Sequence, residues 1–125
     1  MPDKKILIID DDTQITDTLQ KLFTETGAKV TCANSYDQGL AALKEGHHDV
    51  AVIDVMLGTQ SGLDLVKAAK TLPEPHPIFA VLTNSINAEH IAEAMESNIT
   101  TFIQKADHDP HEIVEIIKKR VTETK

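Results

Sequence analysis

The chain has a single cysteine, Cys32, so it forms no internal disulfide, and a reducing compartment suits it. The place of Cys32 in an apolar run predicts a packed strand thiol rather than a nucleophile. No stretch approaches the ~18 consecutive apolar residues of a membrane span, and the opening Met-Pro-Asp-Lys-Lys lacks an apolar signal core. The expectation is a soluble, cytoplasmic protein with no membrane partner. Clustered positive charge is scarce too. The formal net charge is -8, and Lys and Arg are scattered apart from Lys118-Lys119-Arg120, which reads as a solvated helix end. Phosphate backbones require clustered cations, so direct nucleic-acid binding is not expected. There is no internal repeat, low-complexity tract or linker. With 125 residues, 41% of them apolar, the chain suffices for one domain with a real core and is short for two. A single domain over 1–125, without an output domain, is predicted.

What the sequence does contain is a set of apolar runs that stop on useful polar residues. Ile6-Leu7-Ile8-Ile9 ends on Asp10-Asp11, Val50-Ala51-Val52-Ile53 on Asp54, Ile78-Phe79-Ala80-Val81-Leu82 on Thr83, and Thr101-Phe102-Ile103-Gln104 on Lys105. Segments of helical spacing lie between them. Ile15, Leu19, Leu22 and Phe23 recur at i, i+4, i+7 and i+8 before Gly27. Ser35 with Gln38 forms a capping-box pattern ahead of Leu40, Leu43 and the stop at Gly46. Ser61 precedes Leu63, Val66 and Ala69, after which Pro73, Pro75 and Pro77 mark a loop. A fourth helix is predicted from about Asn87 through Ile91, Ala94 and Met95. The fifth begins at Asp109-Pro110 with Glu112 three residues after the cap, and continues through Ile113, Ile116, Ile117 and Val121.

This alternation of strand and helix, five times over, implies right-handed crossovers and a parallel sheet with helices on both faces. The first, third and fourth runs are almost wholly apolar, as strands covered on both sides must be. Lys29-Val30-Thr31-Cys32 and Thr100-Thr101-Phe102-Ile103-Gln104 mix in polar residues, as edges do. Strands two and five at the edges match the order 2-1-3-4-5, so the predicted fold is a flavodoxin-like, doubly wound (βα)5 sheet.

In such a sheet the run-ending side chains converge at the carboxyl edge, where open α/β sheets bind ligands. Strands one and three bring Asp10, Asp11 and Asp54 together, and three like charges there disfavour their own ionisation unless a cation intervenes. Mg²⁺ suits the place because it accepts one or two carboxylates together with water and phosphate oxygens. Singly, Asp10 to Asp12 read as caps of the first helix and Asp54 as a polar loop residue. With Thr83 and Lys105 at two further strand ends, the group reads instead as a divalent-metal and phosphoryl site. His47-His48 and the His108-x-x-His111 pair have no third ligand nearby in sequence, and are predicted to be surface histidines.

Lys5-Ile6-Leu7-Ile8-Ile9-Asp10-Asp11-Asp12, Val52-Ile53-Asp54-Val55-Met56-Leu57, Val81-Leu82-Thr83-Asn84 and Phe102-Ile103-Gln104-Lys105 together resemble the receiver domain of two-component response regulators, in order and spacing along essentially the whole chain. The resemblance implies that Asp54 is the phosphoacceptor, fed by a phosphohistidine of a histidine kinase or phosphotransfer protein. It implies that Asp11 ligates Mg²⁺ directly, Asp10 directly or through water, and Met56 through its carbonyl. Thr83 and Lys105 would hold phosphoryl oxygens. A downstream effector would read a changed surface on the fourth helix, fifth strand and fifth helix, switched through Thr83 and Phe102. Beyond its own aspartyl phosphorylation and dephosphorylation, such a protein is not an enzyme.

Four positions depart from the family pattern. Gly58 replaces a frequent proline, which predicts a more mobile loop after Asp54. Asn84 replaces a smaller residue beside the phosphoryl group, Ala106 replaces a proline and with it the usual reason for a cis peptide, and Phe102 offers no hydroxyl where the family often has tyrosine. A pseudo-receiver interaction module, or a phosphate sink, is the nearest alternative. A haloacid dehalogenase-type phosphatase would also use Asp-x-Asp after the first strand. It is disfavoured by Gln14 where Thr or Val is usual, by the short chain, and by the lack of an acidic pair ending a later strand. A flavodoxin-like FMN protein shares the sheet order, but Asp10-Asp11-Asp12 would repel the FMN phosphate.

Overall fold

The computed structural model describes residues 3–84, 88–96, 99 and 101–123. Five strands form one parallel sheet: β1 (Lys5–Ile9), β2 (Lys29–Ala33), β3 (Val50–Asp54), β4 (Ile78–Thr83) and β5 (Thr101–Gln104), in the order β2-β1-β3-β4-β5. Helices α1 (Thr13–Glu25), α2 (Tyr36–Glu45), α3 (Gly62–Ala69), α4 (Ala88–Glu96) and α5 (Pro110–Glu123) alternate with them. The fold is thus the doubly wound α/β sheet implied by the alternation, with β2 and β5 at its edges. The predicted start of α4 near Asn87, and Thr100 before β5, lie outside the described residues.

The apolar runs become central strands because both faces of the sheet are covered. Ile6, Ile8, Val50, Val52, Ala80 and Leu82 pack with Leu19, Phe23, Ile113 and Ile117 on the α1 and α5 side. Leu7, Ile9, Ala51, Ile53 and Val81 pack with Leu63, Leu65, Val66 and Ala94 on the other. Alternate residues of one strand therefore feed opposite layers, as the period of two requires. Edge position changes one expectation. Cys32 is exposed on β2 rather than packed, because a strand with one neighbour is covered incompletely. Partial shielding of the sulfur, and secondarily Asp17, raise its pKa, the opposite of what a nucleophilic thiol requires.

The helix starts follow the capping signals. Asp12 accepts from the amides of Gln14 and Ile15, Ser35 from Gln38 and Ser61 from Leu63. At α5 the box closes reciprocally: Glu112 N–H donates to Asp109 at 2.9 Å while Asp109 N–H donates to the Glu112 carboxylate at 3.1 Å. Two small elements carry no periodic signal. A hairpin with arms Met56–Leu57 and Gln60–Ser61 follows β3, and a 3₁₀ turn over Lys105–Asp107 follows β5.

Candidate phosphoryl and metal site

β1 and β3 are hydrogen-bonded neighbours with Ile9 level with Ile53, so Asp10 and Asp54 leave the sheet side by side. Their carboxylates and that of Asp11 each place an oxygen within 4.8 Å of the other two. Asp10 and Asp54 are buried, at 1% and 4% exposure, and Asp11 is exposed. Thr83 is buried at the end of β4, one residue past Leu82, the register partner of Asp54. Lys105 arrives from the opposite flank, where the 3₁₀ turn directs it over the edge. Its Nζ lies 2.8 Å from Asp10 Oδ2 and 3.1 Å from Asp54 Oδ2. All five predicted polar side chains thus lie at the carboxyl edge of the sheet.

Backbone amides complete the set. Asp12 N–H donates to Asp10 Oδ1 at 2.9 Å, Met56 N–H to Asp54 Oδ1 at 3.2 Å, and Gly58 N–H to Asp11 Oδ2 at 3.0 Å. The loop after Asp54 contains a short hydrogen-bonded hairpin. Close packing fixes its far end: a Cβ on Gly62 would lie 1.9 Å from the Asp54 carbonyl oxygen, and Gly62 N–H donates to Val55 O at 2.7 Å.

The electrostatics remain unbalanced, with three carboxylates against one ammonium. Burial is the main reason that the Asp10 carboxyl is pushed up from its ordinary 3.8 to about 6. Asp54 adds to that rise, and the hydrogen bonds from Lys105 and from the Asp12 amide oppose it. For Lys105, burial works against the charged form, yet the hydrogen bonds and negative charge of Asp10 and Asp54 outweigh it and raise the pKa. A half-buried ammonium and a cluster of hard oxygen donors suit a divalent ion beside a phosphoryl group. The donor set fits Mg²⁺.

Among the described residues, no other set of three or more His, Cys, Asp or Glu side chains converges closely enough to hold a metal ion. His47 faces Asp49 at 3.6 Å, His48 Nε2 lies 3.3 Å from Ala42 O, and His108 faces Glu112 at 3.5 Å. Phe102 is half-buried on β5 and packs against the layer that contains Ala94 and Ile99. The Lys105–Ala106 peptide is not among the cis bonds of the described chain. What the sequence reading did not single out is the donor role of the Asp12, Met56 and Gly58 N–H groups, which carry no side-chain signature.

The carboxyl edge of this doubly wound sheet thus holds three aspartates, a threonine and a lysine. The model of the response regulator receiver domain matches residues 6–118, and the chain belongs to that family. The acid tolerance regulatory protein ActR of Sinorhizobium medicae is 41% identical over 109 residues, covering 86% of this chain and 56% of ActR. The chain spans about half the length of the curated relatives it matches. Among solved structures, a CheY-like receiver domain from Methanospirillum hungatei superposes with a TM-score of 0.89 at 27% identity, covering 97% of this chain and 95% of that one. The receiver domain of DrrB, in a beryllofluoride-activated form, gives 0.81 at 25% identity over 97% of this chain and 98% of that one.

Proposed function

We propose that the domain accepts a phosphoryl group on Asp54 from the phosphohistidine of a histidine kinase or phosphotransfer protein. The observation that carries this reading is the Lys105 ammonium held between the buried Asp10 and Asp54 carboxylates. An Asp54 carboxylate oxygen forms the new bond to phosphorus as the P–N bond to the donor imidazole breaks, the electron pair leaving with the imidazole. Lys105 turns from Asp54 toward the incoming phosphoryl oxygens and Thr83 donates its hydroxyl to another. The protein contributes position and preorganised positive charge, which is most of what phosphoryl transfer requires. Asp10, Asp11, Asp54 and the Met56 carbonyl would hold Mg²⁺, which would neutralise charge on the transferring group. The protein acts on itself and is not an enzyme toward a separate substrate.

The signal leaves through α4, β5 and α5. Ile91 and Met95 sit one turn apart on α4 with 39% and 70% exposure, an apolar pair that an effector protein can cover. Once Thr83 bonds the phosphoryl group, Phe102 turns inward, and phosphorylation shifts an equilibrium between two positions of that ring. DrrB is described in a beryllofluoride-activated form, which supports the same probe here.

The reading is tested with Asp54→Asn, which preserves shape. With acetyl phosphate and Mg²⁺, the unmodified chain should gain one phosphoryl mass and the variant none. Phosphorylation of the variant would overturn the assignment. For the output, amide chemical shifts with beryllofluoride should move at Phe102, Ile91 and Met95. Shifts confined to the surroundings of Asp54 would leave a phosphate sink as the better account.

A further inference from the structure

We propose that Gly58 is a positioning residue for Asp11: its backbone N–H orients the Asp11 carboxylate for the divalent cation, through a turn that the residue's left-handed conformation makes possible. The inference rests on the proposed Mg²⁺ site and adds to it a residue with no side chain.

Asp11 has least support of the three acidic residues. It lies past the end of β1 and is exposed, so in isolation its carboxylate would sample several rotamers that metal binding must restrict. The contact that orients it comes from 47 residues away, where Gly58 N–H donates to Oδ2 at 3.0 Å. Gly58 has φ +63°, and nothing lies within 4 Å of a Cβ built there. Backbone conformation, not crowding, therefore selects the residue type. This turn joins the arms Met56–Leu57 and Gln60–Ser61.

The hairpin is fixed at its base, so the amide is presented rather than loosely offered. Met56 N–H engages Asp54 Oδ1, and Gly62 N–H closes on Val55 O. Met56 on the arm and Gly58 in the turn beyond it thus point donors at two different carboxylates of one cluster. A carboxylate has about four lone-pair directions, so the bond to Oδ2 leaves Oδ1 and part of Oδ2 for a cation. Partners that orient a metal ligand in this way typically change affinity by ~10–100-fold when removed.

Proline at this position removes both features, since it has no N–H and fixes φ near −65°. Asparagine keeps the N–H and tolerates the left-handed region. The test is a Mg²⁺ titration of the full ¹⁵N-labelled chain followed by amide chemical shifts, for the unmodified protein, Gly58→Pro, Gly58→Asn and Asp11→Ala. Gly58→Pro should weaken Mg²⁺ binding about tenfold, and Gly58→Asn should recover most of that loss. If Gly58→Pro binds Mg²⁺ as the unmodified chain does while Asp11→Ala does not, Gly58 has no positioning role and the metal site stands. If the unmodified chain shows no Mg²⁺-dependent shifts near Asp10, Asp11 and Asp54, the metal reading itself fails, and the proposal with it. A second readout covers the case of a Gly58→Pro chain that does not fold. Hydrogen exchange at the Gly58 amide without metal should accelerate several-fold in Asp11→Ala, with Gly62 unchanged; unaltered exchange at Gly58 would overturn the proposal.

Discussion

The two ends of the same sheet handle polar groups in opposite ways. At the amino edge, Lys5 N–H donates to Asp49 Oδ2 at 2.8 Å, Asp49 N–H to Lys5 O at 2.8 Å, and Ile78 N–H to Asp49 O at 3.0 Å. There the charged side chains stay in contact with solvent, Asp49 at 27% exposure. At the carboxyl edge, Asp10, Asp54 and Thr83 are buried with a single ammonium among them. The fold closes its strand ends without burying charge at one edge, so the burial at the other is not a requirement of the fold. On the proposed function it is a cost carried for chemistry, which a bound cation or phosphoryl group would offset.

The largest expected effect is on Lys105→Ala. Removing one member of a buried ion-paired group leaves uncompensated charge and typically costs ~3–5 kcal/mol. Near pH 8, above the Asp10 titration, all the carboxylates count in full, so a loss of about 3 kcal/mol by urea denaturation without Mg²⁺ is expected. Added Mg²⁺ should recover part of it. A loss as small as that of an exposed pair, below about 1 kcal/mol, would show that the two edges are energetically alike.

Asp10 gives a pH-dependent contrast. Its folded pKa of about 6 lies above its ordinary 3.8, so between these values the native state keeps a proton that the unfolded state has released. The contribution of Asp10 to stability therefore falls as pH rises through this window, and the full penalty applies above it. The raised Lys105 value acts only at strongly alkaline pH and does not enter the window. In metal-free buffer, Asp10→Asn should gain stability relative to the unmodified chain between pH 4 and pH 7, by up to ~3 kcal/mol on the scale of 1.36 kcal/mol per pKa unit. A difference independent of pH would refute the account of Asp10.

Metal should act at one edge only. Mg²⁺ that binds only the folded state raises the melting temperature by mass action. Asp11→Ala should remove most of this shift, and Asp49→Ala none of it; loss of the shift in Asp49→Ala would locate the ion elsewhere. The smallest effect concerns Asp49→Ala itself, expected to cost about 1 kcal/mol for its hydrogen bond to Lys5. A substantially larger loss would erase the distinction between the edges.

The sheet order and the converging polar residues were legible because each depends on local pattern. Apolar runs with a polar terminus mark buried parallel strands, and Asp12, Ser35, Ser61 and Asp109 announce helix starts through their own side chains. Features set by tertiary packing were not legible. The hairpin arms are two residues long, too short for any periodicity. Gly58 reads locally as freedom, yet a distant carboxylate holds its amide. The exposure of Cys32 follows from how little lies beyond an edge strand, which a stretch of sequence does not record. The Lys105 ammonium contacts carboxylates 95 and 51 residues earlier through a 3₁₀ turn; the spacing identified the lysine but not how closely it engages both.

Hydride trapping of an acyl phosphate, followed by peptide mass spectrometry, most directly tests whether the buried charge at the carboxyl edge serves phosphoryl transfer. The chain is incubated with acetyl phosphate with and without Mg²⁺, reduced, and mapped residue by residue. The expected result is a reduced residue at Asp54 alone, formed efficiently only with Mg²⁺. Equal labelling without the ion, or labelling at another carboxylate with Asp54 untouched, would contradict the account.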